Sequence, residues 1–132
     1  MKPEKIQEFL EEEGFRPKID DDGDIMFKYE GKTYIIQFDE DDALFIRLML
    51  PNFWELDSDS EKAQATKISL EITRQVKVAK VFSVEDRMWS SAELFLPNEE
   101  SIKPIFNKIM AVVSGAAVLF ARKMHDLRES EA

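Results

Sequence analysis

The stretch IMFKYEGKTYIIQF, residues 25–38, decides the fold class of this chain. Two runs rich in β-branched and aromatic residues flank the short link Glu30-Gly31, and this pattern predicts a β-hairpin. The acidic segments 20–24 and 39–42, on either side, are typical turn sequences. The chain therefore starts its sheet with antiparallel neighbours.

A helix is predicted before the hairpin and a third strand after it. Residues 3–14 carry their apolar side chains on one face, and Gly14 suits the position after a helix end. Residues 44–50 form an apolar run that predicts the third strand. Pro51 is expected to end this strand because proline cannot donate to a ladder, which makes residues 52–56 a connector.

The second half of the chain predicts two further strands that lie between two longer helices. Ser58 and Glu61 have the spacing of a capping box, so a helix is expected from there to about Gln75. Two strands follow, at 78–84 and 88–96. Apolar residues then recur at spacings of three and four from Ile102 to Leu127, which predicts a long final helix.

Two details of the final helix follow from its ends. Ser101 is expected to cap it, with Pro104 in the first turn, where no amide hydrogen bond is lost. Gly115 is expected to let the helix lie close against the sheet, and the polar tail from Arg128 is expected to fray.

The order α-β-β-β-α-β-β-α contains no repeated βαβ unit. It predicts an α+β fold, an antiparallel sheet packed by helices, in a single domain over residues 1–132.

Composition excludes several kinds of chemistry. The 132 residues are 44% hydrophobic and 34% charged, which is an ordinary globular balance. There is no cysteine, so disulfides, thiolate nucleophiles and cysteine-based zinc sites are excluded. Four scattered glycines form no phosphate loop or dinucleotide fingerprint. No cofactor is expected.

The distribution of charged residues along the chain indicates which classes of partner are not expected to bind. The formal net charge is −9, and residues 1–42 hold 14 acidic against 6 basic side chains. Such a surface repels phosphate, so nucleic acid is not an expected partner. The N-terminus lacks a signal-peptide pattern, and the apolar-rich run 109–121 is too short to span a bilayer. We therefore expect a cytoplasmic protein with no membrane partner.

Acidic and histidine side chains offer no defined site. Asp20, Asp22 and Asp24 alternate as in a calcium loop, but Gly23 precedes the third aspartate instead of following it. A polar turn explains the segment better. His125 is the single histidine, and a role near the end of the last helix suits it better than catalysis. Carboxylate chemistry stays open, since no spacing selects a pair among 27 acidic residues.

Aromatic side chains give the clearest candidates for contact. Phe53 and Trp54 lie together in the predicted connector, where such a pair is more often a lid over the core. The alternative is an exposed anchor for a partner, because tryptophan is enriched in binding hot spots. Trp89 shares one face of its strand with Glu93 and Phe95, and that face can pack against a helix or against a second copy of the chain.

The element order and five segments resemble the YbjN-like family, which is similar in fold to the type III secretion chaperones. The segments are Asp-Asp-Gly-Asp-Ile (21–25), Tyr-Glu-Gly-Lys-Thr-Tyr (29–34), Leu-Pro-Asn-Phe-Trp-Glu-Leu (50–56), Val-Ala-Lys-Val (78–81) and Trp-Ser-Ser-Ala-Glu-Leu-Phe-Leu (89–96). They are turn and core patterns and contain no catalytic signature. The resemblance implies a dimeric, non-catalytic protein-binding module, a type also named as a sensory-transduction regulator.

In secretion chaperones the second helix and the strands after it commonly form the dimer interface. Transferred to this chain, the resemblance implies interface roles for Ile68, Ile72, Val78, Val81 and Trp89. The alternative, of similar weight, is that all five belong to the monomer core. Two functions therefore stay open: a homodimeric protein-binding module, which predicts an exposed apolar patch, and a small-ligand binder or enzyme that uses buried carboxylates, which predicts an enclosed pocket.

Overall fold

A computed structural model describes residues 1–131. Its helices and strands are α1 Pro3–Glu12, β1 Lys18–Ile19, β2 Ile25–Tyr29, β3 Lys32–Asp39, β4 Asp42–Glu55, α2 Asp59–Gln75, β5 Ala79–Val84, β6 Arg87–Phe95 and α3 Phe106–Glu131. The six strands form one sheet in the order β1-β2-β3-β4-β6-β5, and all neighbours are antiparallel. The α+β fold predicted from the sequence is confirmed, with β1 as an additional short strand.

The hairpin predicted for residues 25–38 is confirmed. Tyr29 pairs with Lys32, and the two residues between them, Glu30 and Gly31, both have positive φ angles of 50° and 80°. A two-residue turn with this backbone matches the right-handed twist of the flanking strands. The turn thereby fixes which side chains of β2 and β3 share a face.

The expectation that Pro51 ends the third strand is wrong. β4 continues to Glu55, and it pairs with β6 on both sides of the proline. Three residues of β4, between Leu50 and Trp54, stand opposite the single residue Trp89, so the strand bulges there. A bulge leaves residues outside the ladder, which removes the demand for a proline N–H.

The predicted start of the last helix is also wrong. Asn98 caps a 3₁₀ turn, Glu99–Ile102, by accepting a hydrogen bond from the Ser101 N–H at 3.1 Å. Because Asn98 caps the chain three residues earlier, Ser101 is not a cap, and Pro104 lies before α3. α3 extends to Glu131, and the Arg128 side chain is paired with α2 as described below; fraying of the tail stays a prediction.

Gly115 does not bring α3 close to the sheet. Its neighbours Ala116 and Ala117 are the buried residues, whereas Gly115 is exposed and a Cβ atom there would meet nothing within 4 Å. The close approach predicted for this segment is therefore made by the two alanines.

All three helices pack on one face of the sheet. One buried cluster joins α1 and the first half of α3 to β2, β3 and β4, and a second joins α2 and the second half of α3 to β5 and β6. Phe53 and Val112 pack against both clusters. The opposite face carries the alternate side chains of each strand and has no helix over it in residues 1–131, and we call it the helix-free face.

Candidate interaction surfaces

Phe53 and Trp54 are directed by the β4 bulge into the helical side of the molecule. The bulge turns Asn52 outward, where its Oδ1 accepts a hydrogen bond from Trp89 Nε1 at 3.1 Å. Phe53 and Trp54 instead meet Phe120 of α3, with ring centroids 5.5 and 5.8 Å apart in edge-to-face geometry. The pair lies in a strand and covers the core, so the connector expected at 52–56 is wrong.

Trp54 is held by a polar contact that joins three elements. Glu61 Oε1 accepts hydrogen bonds from Trp54 Nε1 at 2.8 Å and from Arg128 Nη2 at 2.9 Å. The Arg128 guanidinium also lies 4.9 Å from the centroid of the Trp54 ring, and His125 packs edge-on against that ring at 5.3 Å. His125 therefore lies within α3, several residues before its end, and contacts an aromatic ring.

Three of the predicted interface residues lie in the core. Ile68, Ile72 and Val81 belong to the buried cluster beneath α2. In this conformation their side chains support the surface from below and do not reach a partner directly. A direct interface role for these three residues stays a prediction, and it would require them to leave the core and repack.

Val78 lies on a surface that has further exposed apolar side chains. It precedes β5 with a φ angle of 68° and is 57% exposed; Leu70 on α2 is 70% exposed and Val84 at the end of β5 is 38% exposed. We call these three residues the α2–β5 margin. The sequence analysis missed Leu70, although a lone leucine on the polar side of α2 was a detectable signal.

A groove of about 290 Å³ runs between α2 and β5 at this margin. Its floor includes Leu56 and Met88, and its lining contains only two titratable side chains, Lys62 and Glu85. Ser69 also lines it, and the buried Ser69 hydroxyl has no hydrogen-bond partner within the described residues. The groove is thus mainly apolar and has few charged side chains, on a protein whose net charge is −9.

The free edge of β5 is partly closed by α2. The Val81 N–H donates to Thr73 Oγ1 at 3.1 Å, and the Ala79 N–H donates to the Lys77 carbonyl at 2.7 Å. Outward N–H groups of an edge strand are the template on which another strand adds. Because two of them are already bonded, strand addition is less suited to β5 than side-chain packing is.

Trp89 lies on the helix-free face, beside a row of charged side chains that crosses the sheet. Glu93 Oε1 pairs with Arg47 Nε at 2.8 Å and with Lys80 Nζ at 2.6 Å, and Arg47 Nη1 donates to Gln37 Oε1 at 3.1 Å. The Lys80 hydrogen bond, followed by the Arg47 charge, lowers the pKa of Glu93, against the opposing effect of its partial burial. One carboxylate shared by two cations leaves this row with surplus positive charge.

The described residues contain neither a buried carboxylate nor a cluster of metal-ligand side chains. Their buried polar side chains are three serines, Ser69, Ser90 and Ser91, so no carboxylate is buried. Burial, followed by the charges of Asp20 and Asp22, raises the pKa of Asp24, but Asp24 lies in a turn. No group of three or more histidine or acidic side chains in residues 1–131 could hold a metal ion.

The turn at residues 20–24 is organised by its own side chain. Asp20 Oδ1 accepts hydrogen bonds from the N–H groups of Asp22 at 2.9 Å and Asp24 at 3.0 Å. Gly23 has a φ angle of 84°. These contacts are those of a polar turn, as the sequence indicated.

Three solved structures share this arrangement. YbjN, a candidate transcription regulator from E. coli, matches with a TM-score of 0.66 at 11% identity, over 93% of this chain and 92% of that one. The type III secretion chaperone SycH of Yersinia pestis, in complex with a stable fragment of YscM2, matches with a TM-score of 0.57 at 10% identity, over 90% and 99%. The chain has the YbjN-like fold. An uncharacterized protein from Methanothermobacter thermautotrophicus shares it, with a TM-score of 0.62 at 14% identity over 96% and 98%.

The YbjN-like fold confirms the resemblance drawn from the sequence, both to the YbjN-like family and to the fold of the type III secretion chaperones. No family model and no curated protein matches the chain. None of the helices in residues 1–131 is long and apolar enough to cross a membrane.

Proposed function

We propose that residues 1–132 form a non-catalytic protein-binding module, chaperone-like or regulatory in type, that acts as a homodimer through the α2–β5 margin. The proposed setting is the cytoplasm, with an unidentified protein as the further partner. The observation that carries the dimer is the margin itself, where three of the exposed large apolar side chains border α2 or β5. Covering exposed apolar side chains with a partner removes them from water, so a group of them along one margin favours an interface there.

Charge supports a second copy as the occupant of this margin. Two copies of a protein with net charge −9 repel each other, so self-association requires a surface that carries few charges. The groove of the margin is suited to this because its lining has only two titratable side chains, Glu85 and Lys62, and Lys62 is already paired with Asp86 at 2.9 Å. The fold shared with a chaperone found in complex with a protein fragment supports a role in binding proteins.

The test is sedimentation velocity on the full chain and two variants. Leu70→Glu places a charge at the margin on a side chain that is already exposed, so it does not disturb the core. Val118→Glu makes the same change on α3, where the valine is 51% exposed. We expect the parent chain and Val118→Glu to sediment as dimers and Leu70→Glu as a monomer.

Two outcomes would overturn the proposal. A parent chain that stays monomeric up to about 1 mM has a dimer free energy weaker than about −4 kcal/mol, too weak for a functional homodimer. A dimer that persists unchanged in Leu70→Glu would show that the margin is not its interface.

A further inference from the structure

A cleft of about 510 Å³ lies at the opposite edge of the sheet from the α2–β5 margin, beside β2. Phe15, Met26 and Phe27 give it an apolar lining. The Phe15 ring is fixed edge-on against Phe27, with centroids 5.3 Å apart, and the Phe15 N–H bonds the Leu10 carbonyl at 3.0 Å. We call this site the β2 cleft. Its wall is set by the residues that follow α1, so it is formed before any partner arrives.

Every titratable side chain that lines the β2 cleft is a cation. Arg16, Lys18 and Lys28 line it, all three are exposed, and none forms a side-chain ion pair or hydrogen bond with another described residue. These are half of the six basic residues in segment 1–42, which holds 14 acidic ones. Because unpaired cations collected around an apolar cleft attract carboxylates, the charge of the site is complementary to an acidic ligand.

The main chain at the β2 cleft has an unused pairing edge. β1 pairs only with Ile25 and Met26, because the ladder starts at Lys18 and the chain before it is not paired with β2. The Asp20 N–H donates to the Asp24 carbonyl. Main-chain groups of a strand point alternately to its two neighbours, so residues 24, 26 and 28 direct theirs towards β1 and the cleft. The β1 ladder reaches only Met26, and no turn or loop residue bonds Lys28, so its N–H and carbonyl have no main-chain partner on this side among residues 1–131.

We propose that the β2 cleft binds an extended segment of a partner protein in which acidic and apolar residues alternate. This inference rests on the proposed function as a protein-binding module and names the chemistry of the partner. The segment pairs its main chain with Lys28. Successive side chains of a strand point to opposite sides, so one set meets the apolar lining at Phe15 and the other meets the three cations.

The experiment uses fluorescence anisotropy with the full-length chain and synthetic peptides of about nine residues, long enough at about 3.3 Å per residue to span the cleft. One peptide alternates Glu and Phe, a second alternates Lys and Phe, and a third is the acidic peptide with its central residue N-methylated. We expect the acidic peptide to bind at least about tenfold more tightly than either of the others, with an affinity that falls as salt rises.

Variants locate the site. Arg16→Glu combined with Lys28→Glu reverses two charges on exposed side chains and should weaken the acidic peptide at least about tenfold. Lys108→Glu, a reversal of an exposed lysine on α3 that has no ion pair in the structure, is the matched control and should leave affinity unchanged. Thermal unfolding followed by circular dichroism confirms that all variants fold.

Three results would overturn the inference: equal binding of the acidic and basic peptides, no loss in the double variant, or preferential binding of a single-stranded oligonucleotide. Sedimentation of the same samples separates the two proposals. A dimer that depends on Leu70 while no peptide binds the cleft contradicts only this inference. Peptide binding by a chain that remains monomeric contradicts only the homodimer.

Discussion

Replacing Glu61 with alanine should be among the most damaging changes to a polar side chain in this protein. Its carboxylate is 12% exposed and joins β4, α2 and α3 through Trp54 and Arg128. Ser58 Oγ accepts the Glu61 N–H at 3.1 Å, which is one half of the expected capping box. The Glu61 side chain, however, bonds Trp54 instead of turning back to Ser58.

The magnitude follows from three contributions. Removing the acceptor of a partly buried Trp54 N–H costs about 1.5–2 kcal/mol, and the half-exposed pair with Arg128 adds about 0.5 kcal/mol. Loss of a negative charge in the first turn of α2 adds about 0.5 kcal/mol. We expect Glu61→Ala to lower the free energy of unfolding by about 2.5–3 kcal/mol, and Glu61→Gln by about 1 kcal/mol because an acceptor oxygen remains.

Urea unfolding followed by far-ultraviolet circular dichroism measures these values. The matched control is Glu71→Ala, which removes the pair of Glu71 with Lys123 at 3.2 Å and should cost less than about 1 kcal/mol. A double-mutant cycle with Trp54→Phe should give a coupling energy of about 1 kcal/mol or more between Trp54 and Glu61. The reasoning fails if Glu61→Ala costs no more than Glu71→Ala, or if the cycle shows no coupling.

Three further predictions concern other parts of the fold. Gly115→Ala should raise the free energy of unfolding by about 1 kcal/mol, since the position is exposed and open; an unchanged or lower thermal midpoint would contradict this. The pKa of Glu93 is lowered in the folded state. The stability that the ionised Glu93 contributes is therefore present at pH values above its usual pKa of 4.5, and it is lost as the pH falls through the folded-state pKa. Glu93→Gln should therefore flatten the acid side of the stability–pH curve, and an unaltered slope would disprove the linkage. Thr73→Val removes the bond to the Val81 N–H and should cost about 1 kcal/mol and increase aggregation on heating; Thr66→Val, within α2, is the control that should not aggregate.

Local patterns predicted most of the elements because each rests on short-range physics. The hairpin needs only two β-rich runs and a two-residue turn, and α2 needs only Ser58 and one apolar face. The errors arose where a local rule met a tertiary contact. Pro51 ends a regular strand, but β6 continues to pair beyond it. Ser101 is a good cap, but Asn98 caps first and in a tighter turn.

The candidate surfaces were predictable only in part. Trp89 and Val78 are accessible, as an interface role requires, while Ile72 is fully buried. The sequence shows that α2 has an apolar face, but only packing against β5 and α3 decides which of its residues remain outside. The β2 cleft was missed because Arg16 and Lys28 are distant in sequence and meet only when β1 pairs with β2.

By itself the sequence determined the order of the helices and of five of the six strands, the α+β class, the acidic surface and the absence of cysteine chemistry, since composition and periodicity are properties of neighbouring residues. The tertiary structure alone decided that a bulge directs Trp54 onto Glu61, that Thr73 partly closes the edge of β5, and that the β1 ladder stops before Lys28, one of the three cations of the β2 cleft. Each of these depends on which strands become neighbours, and that choice is made by burying the sheet against the helices, not by any local stretch of the chain.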